Sequence, residues 1–247
     1  MNIATAIAAV RRRFSDRRLL AEPASTDLLA PLPEPFRGRL ISMYADEAQL
    51  GADGQRHSLD GVTKISVNQG MWIYQLCIEQ NPQNTLEIGM AYGFSTIYFL
   101  AAISKNGGGN HTAIDPFQHR APGIWAGIGV QHAQSLDAQR FRFIEEMSFA
   151  GLIRLSSEGR QFEVIFIDGN HLFDAVLVDF TLSAKICPLG GHIILDDTWM
   201  PSIRCVLAFI RENRADFMRV STPVANIAVF RRIATDAREW THFVEFR

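Results

Sequence analysis

From residue 85 onward the chain alternates short apolar runs with longer amphipathic stretches. The runs at 85–88, 111–115, 141–145, 164–168 and 192–196 are too short for buried helices and read as strands covered on both faces. A closing pair at 217–220 and 227–231 reads as an antiparallel hairpin at one edge. Between them the spacing predicts helices over 95–104, 124–134, 149–156, 172–184 and 202–213. Strands and helices in this order indicate a largely parallel sheet with helices on both sides.

Before residue 85 the pattern changes. Ile3, Ile7 and Val10 form an apolar stripe beside Arg11, Arg12, Arg13, Arg17 and Arg18, which predicts a helix with a basic face over 1–20. No long apolar stretch follows, so a solvated helix is preferred over a targeting signal. Pro23, Pro31, Pro33 and Pro35 mark an extended connector, because each fixes φ and removes a donor. A helix from 36 to about 50, a polar loop at 51–57 suited to a pocket rim, and a helix over 66–80 complete this part. The expected division is an N-terminal helical extension and connector over 1–60, then the α/β domain over 61–247. The glycines of Asn106-Gly-Gly-Gly-Asn110 read as a helix-stopping turn.

Composition narrows the class. The 247 residues are 47% hydrophobic, enough for a full α/β core, and the formal net charge of -2 disfavours a nucleic-acid partner. Cys77, Cys187 and Cys205 are scattered, with no paired spacing for zinc or a disulfide framework, which points to a reducing cytoplasm. No apolar run reaches the length of a membrane span, so no membrane partner is expected.

The chemistry gathers at strand ends. Thr85-Leu-Glu-Ile-Gly-Met-Ala-Tyr-Gly-Phe-Ser-Thr96 ends a strand in Glu87, turns through Gly89 and Gly93, and opens a helix, so backbone N–H groups face a ligand. Asp115 ends the next strand, where an acid is placed to accept from two ribose hydroxyls. Later strands end in Phe166-Ile-Asp168-Gly-Asn-His171 and Ile193-Ile-Leu-Asp196-Asp197. Glu87 stands just before the turn, where a pyrophosphate would be repelled. A cofactor with an amino group and no phosphates, such as S-adenosylmethionine, is the better match.

These four motifs, in this order, resemble the class I S-adenosylmethionine-dependent methyltransferases. Within them they are most similar to the metal-dependent small-molecule O-methyltransferases of catechol, caffeoyl-CoA and macrocin type, over about 65–231. The resemblance implies a Rossmann-like class I methyltransferase fold, with a seven-stranded mostly parallel sheet and one antiparallel strand. It implies that Gly89, Ala91 and Gly93 approach the methionine moiety, with Glu87 nearby and Ser95 at the carboxylate. Asp115 takes the ribose, Ser148 lies against adenine, and Ser66 adds a contact or serves simply as a helix N-cap.

The implied metal ligands are Asp168, Asp196 and Asp197, an oxygen set suited to Mg²⁺ or Mn²⁺. A cation there lowers the cost of the oxyanion formed as a hydroxyl is methylated. The catechol type carries Asp-Asn at the fifth strand; the Asp196-Asp197 pair is closer to the macrocin type, and Asp197 as a helix cap is the alternative. Asp168 and His171 are the expected catalytic residues. His171 stands where the catechol type has a lysine base, and it serves either as base or as a holder of the loop or of a metal-bound water. His111 and His192 lie within strand patterns and read as structural. Trp199 is the best candidate for an acceptor wall, with Trp72, Tyr74 and Trp125 behind it.

The expected activity is methyl transfer to a hydroxyl of a small molecule. The rival readings are a nucleotide-dependent oxidoreductase on a related sheet and a non-catalytic S-adenosylmethionine-binding scaffold. An N-terminal helical arm on a proline connector also suits docking on a second copy of the chain.

Overall fold

A computed structural model describes residues 26–119 and 125–246. The helix expected over 1–20, and Pro23, lie outside these residues. A 3-10 turn at Thr26–Leu29 leads to helix α1 (Phe36–Tyr44) and a small hairpin of β1 (Gln49–Leu50) and β2 (Arg56–His57). Then follow α2 (Val67–Gln80), β3 (Asn84–Ile88), α3 (Phe94–Asn106), β4 (Asn110–Ile114), α4 (Ile128–Asp137), β5 (Phe141–Ile144) and α5 (Ser148–Ser157). The chain continues through β6 (Val164–Ile167), α6 (Phe173–Ile186), β7 (His192–Leu195), α7 (Pro201–Asn213), β8 (Phe217–Val220) and β9 (Ala228–Arg232).

The main sheet has seven strands in the order β5-β4-β3-β6-β7-β9-β8. β3 through β7 pair in parallel, and β9 inserts antiparallel between β7 and β8. This is the expected Rossmann-like methyltransferase arrangement, and the closing strands form the expected hairpin. The chain turns one way from β3 to β4 and the other way to β6, so the crevice at a topological switch point opens above β3 and β6.

Strand alternation splits the core in two. Leu86, Ile88, Ile165, Ile167, Ile193 and Leu195 face α5, α6 and α7. Val164, Phe166 and Ile194 face α2 and α3. Phe36, Leu40 and Met43 of α1 are buried in that second cluster, so the described part of the N-terminal extension shares the core of the sheet. Gly70 marks the tightest contact in this layer, because a Cβ there would lie 2.1 Å from the Tyr98 ring.

Two expected boundaries are corrected. The helix expected from 36 to about 50 ends at Tyr44, because Asp46 takes a left-handed φ of 55° and the chain turns into β1. The helix expected over 124–134 runs Ile128–Asp137; Ile124 lies outside the described residues, and Ala126 and Gly127 take positive φ, which a right-handed helix does not admit. The glycine run after α3 does stop that helix, with Gly107 left-handed at its C-cap. Among the described residues no helix is long and apolar enough to cross a membrane.

Candidate active site

The loop from β3 to α3 is held from below. Gly89, Ala91 and Gly93 all take positive φ, at 88°, 47° and 85°. A Cβ on Gly89 would sit 2.3 Å from the Asp168 carbonyl oxygen, so the loops after β3 and β6 meet backbone to backbone. Asp115 accepts from Met90 N at 3.1 Å and Ala91 N at 2.9 Å through Oδ2, and from Phe117 N at 2.8 Å through Oδ1. Gln118 Nε2 donates to the Ala91 carbonyl at 2.7 Å. A carboxylate offers about four acceptor sites, so Asp115 keeps little capacity for ribose hydroxyls in this arrangement. Burial raises its pKa despite these donors.

Glu87 points away from that crevice. It is fully buried on the α3 side, accepting from Ser95 Oγ at 2.6 Å and from Thr96 Oγ1, with His111 Nε2 at 3.1 Å. His111 also meets Thr85 Oγ1 at 2.8 Å and stacks on Phe99 at 4.8 Å, so this histidine is structural. Glu87 and Ser95 thus form a closed polar knot under the glycine loop.

Asp168, His171, Asp196 and Asp197 gather at the ends of β6 and β7. Candidate ligand atoms of Asp168, His171 and Asp197 all lie within 4.8 Å of one another. His171 Nε2 is 3.0 Å from Asp197 Oδ2 and 3.4 Å from Asp168 Oδ1. Asp196 stands behind them. Its Oδ1 accepts from Gln69 Nε2 at 2.8 Å, from Asp197 N at 2.7 Å and, at 3.5 Å, from Asn226 Nδ2, whereas Oδ2 accepts no hydrogen bond among the described residues. Asp197 holds a left-handed φ of 54°, and its Oδ1 accepts from Trp199 Nε1 at 2.7 Å and Asn226 Nδ2 at 3.2 Å. α7 is N-capped by Met200 without a side-chain bond, so Asp197 does not cap that helix.

The electrostatics of this corner are unbalanced. Burial, then the charge of Asp197 and, least, that of Glu87 push Asp168 up to about 6 against its His171 contact. Burial and the charges of Asp168 and Asp197 raise Asp196 well above the usual carboxylate range. Burial also works to raise Asp197, but His171, Trp199 and Asn226 together hold it below its ordinary value. Burial alone would lower His171, yet Asp168 and Asp197 outweigh it and push the imidazole up to about 10.

Ser66 is the N-cap of α2 in a full capping box: Ser66 Oγ accepts from Gln69 N at 3.2 Å, and Gln69 Oε1 accepts from Ser66 N at 2.8 Å. Because Gln69 also donates to Asp196, the start of α2 is tied to the acid corner. Ser148 opens α5 and faces Asp179, a buried acid of α6 whose oxygens have no hydrogen bond of normal geometry; burial raises this carboxyl to about 6 against the Ser148 contact. Trp199 is partly exposed beside Asp197; Tyr74 is buried, and Trp125 stands edge-on to Tyr92 at 5.0 Å.

Sequence reading missed Gln69, Asn226 and Gln118 as parts of the site. Only Gln69 carried a signal, the Ser-x-x-Gln spacing of a capping box. Asn226 and Gln118 sit in loops whose approach to the acids depends on the whole fold.

Residues 86–198 match a family described as a methyltransferase domain. Comparison with curated proteins finds no match. Among solved structures, the chain is similar to an S-adenosylhomocysteine-bound methyltransferase of Podospora anserina, with TM-score 0.64, 14% identity and 95% and 97% of the two chains covered. It is also similar to an O-methyltransferase of Bacillus cereus in complex with S-adenosylhomocysteine, at TM-score 0.57 and 18% identity over 91% and 97%. The O-methyltransferase TomG of Streptomyces achromogenes, involved in tomaymycin synthesis and bound to S-adenosylmethionine, matches at TM-score 0.57 and 16% identity over 92% and 96%.

Proposed function

For a chain whose residues 86–198 match a methyltransferase-domain family and whose sheet has the Rossmann-like order described above, we propose transfer of a methyl group from S-adenosylmethionine to a hydroxyl of a small molecule, assisted by Mg²⁺ or Mn²⁺. The observation that carries this reading is the contact of Gly89 with the Asp168 backbone. It sets the glycine loop and the acid corner on one rim of the sheet.

The residues fit both groups. Three positive-φ positions bring bare backbone to the crevice, and a non-glycine residue, Ala91, is held there by Asp115 and Gln118; such backbone strain is characteristic of ligand sites. Asp168, Asp196 and Asp197 offer hard oxygen donors whose mutual repulsion a dication would relieve. When bound, the cation supplies Lewis-acid stabilisation of charge developing on the acceptor oxygen. S-adenosylmethionine supplies the electrophilic methyl.

The chain's own residues orient and neutralise. His171, flanked by Asp168 and Asp197, is the internal counter-ion of the corner in this arrangement. Asp168, raised to about 6 by burial, is the carboxylate that a bound dication would hold ionised. Trp199, pinned through Nε1 to Asp197, offers a flat apolar wall to an aromatic acceptor. A cytoplasmic location and pairing with a second copy through the N-terminal segment belong to the same reading.

The test is release of S-adenosylhomocysteine by the full chain with a panel of phenols, catechols and sugar hydroxyls, with Mg²⁺ and with chelator. Turnover that falls at least about tenfold on chelation is expected. Turnover indifferent to chelator would overturn the role of the cation. Tight NAD binding without S-adenosylmethionine uptake would overturn the whole reading in favour of an oxidoreductase.

A further inference from the structure

A cavity lies away from the acid corner. It measures about 330 Å³ and is bounded by α1, the β1–β2 hairpin and α4, a size at the lower end of small-molecule sites. Its lining includes Arg39, Glu47, Gln49, Arg56, Gln131 and Ser135.

Most of this polar lining is already engaged. Glu47 accepts from Ser42 Oγ at 2.7 Å, and Gln49 Nε2 donates to Glu47 O at 2.7 Å and Ser42 Oγ at 3.1 Å. Ser135 Oγ donates to His132 O at 2.9 Å. Arg56 spends Nη1 on Ala48 O at 2.7 Å and keeps its other N–H groups. Arg39 is different. Its guanidinium is partly buried, yet its side chain makes no hydrogen bond or ion pair among the described residues, and burial lowers its pKa with no acid to offset the loss of water.

Shielded charges in proteins are ordinarily paired, since desolvation without a partner is costly. The nearby His132 adds no charge: burial, then the Arg39 charge, press its imidazole down to about 4. Glu47 is the one acid of the lining and keeps its charge while its Oε2 accepts from Ser42; against it stand Arg39 and Arg56, so the lining carries a positive excess. What is left facing the space is the donor set of Arg39, with support from Arg56 and Gln131. A forked guanidinium matches the paired oxygens of an oxyanion.

We propose that this cavity is a binding site for the carboxylate or phosphate group of a small molecule, held chiefly by Arg39. Nothing in the proposed methyl transfer requires it, so the two readings stand or fall separately.

The test is calorimetric titration of the full chain with inorganic phosphate and, separately, with citrate, at ionic strength fixed by sodium chloride. Saturable binding of either anion is expected, and the arm that binds more tightly identifies phosphate or carboxylate as the preferred group. Arg39→Gln should weaken that binding by at least about tenfold, the scale of one charge-assisted hydrogen bond. Arg56→Gln, on the exposed hairpin, should weaken it by a smaller factor, and it decides the matter if Arg39→Gln melts early. Absence of binding by both anions at about 10 mM, a range where even a very weak site would register, overturns the proposal. So does wild-type affinity in folded variants.

Discussion

The two halves of the crevice treat their carboxylates in opposite ways. On the glycine-loop side, Glu87 and Asp115 are saturated with donors: two hydroxyls and an imidazole for one, three backbone N–H groups for the other. On the acid side, Asp168, Asp196 and Asp197 also accept from neutral donors such as Gln69, Trp199 and Asn226, but they crowd one another with His171 as the one basic group among them. An acid with its full complement of donors is a structural clamp. Acids that repel one another in a partly buried corner store unfavourable energy that a cation can release. Position at a strand end and a share of donors are common to both; the crowding of like charges separates candidate ligand from scaffold.

The largest effects should come from exchanging these roles. Asp168→Asn should weaken Mn²⁺ binding, read by calorimetry, by more than about 100-fold, beyond the range for residues that only support ligands. Glu87→Ala should leave Mn²⁺ affinity unchanged and cost about 3–5 kcal/mol of stability in urea unfolding, because Ser95, Thr96 and His111 lose their buried partner. Equal losses of Mn²⁺ affinity in the two variants would erase the contrast.

Gly89→Ala strikes the seam between the halves. The new methyl would press on the Asp168 carbonyl at a φ of 88°. A loss of about 2–4 kcal/mol is expected, with S-adenosylmethionine and Mn²⁺ affinity falling together. Loss of one ligand alone would show that the loops are independent.

Asp179 sharpens the comparison from outside the crevice. Its carboxyl is raised to about 6 by burial, eased by Ser148. A raised carboxyl adds stability below the unfolded value near 4, and that stability is lost as pH climbs through 6. Asp179→Asn should therefore stabilise the protein by about 1–3 kcal/mol at pH 7.5 and hardly at all at pH 4. The gain should be independent of Mg²⁺; a Mg²⁺-sensitive gain would mean that any strained acid here attracts the cation. The smallest effect belongs to Asn226→Ala, about tenfold in Mn²⁺ affinity, because it only orients Asp196 and Asp197.

Much of this organisation was legible in the chain itself. The strands β3, β4, β6 and β7 are short apolar runs because both their faces are covered, and parallel pairing then brings Asp168 and Asp196 to adjacent strand ends. The inward turn of Glu87 was available too, since it alternates with Leu86 and Ile88, which face the opposite helix layer. Gln69 could not be read as a partner of Asp196, 127 residues away, because a capping box looks the same wherever its helix lies. The early end of α1 was hidden for another reason. Apolar spacing records which face is buried, and not that Asp46 adopts a left-handed backbone.

The insertion of β9 carries a consequence for biosynthesis. β7 receives its outer neighbour only after residues 228–232 have been made, and Asn226 arrives with them. A nascent chain halted after α7 would expose the edge of β7, whose residues 192–195 are all buried in the finished protein. Such an unpaired apolar edge recruits foreign strands. Synthesis of residues 214–232 therefore both closes the sheet and completes the acid corner.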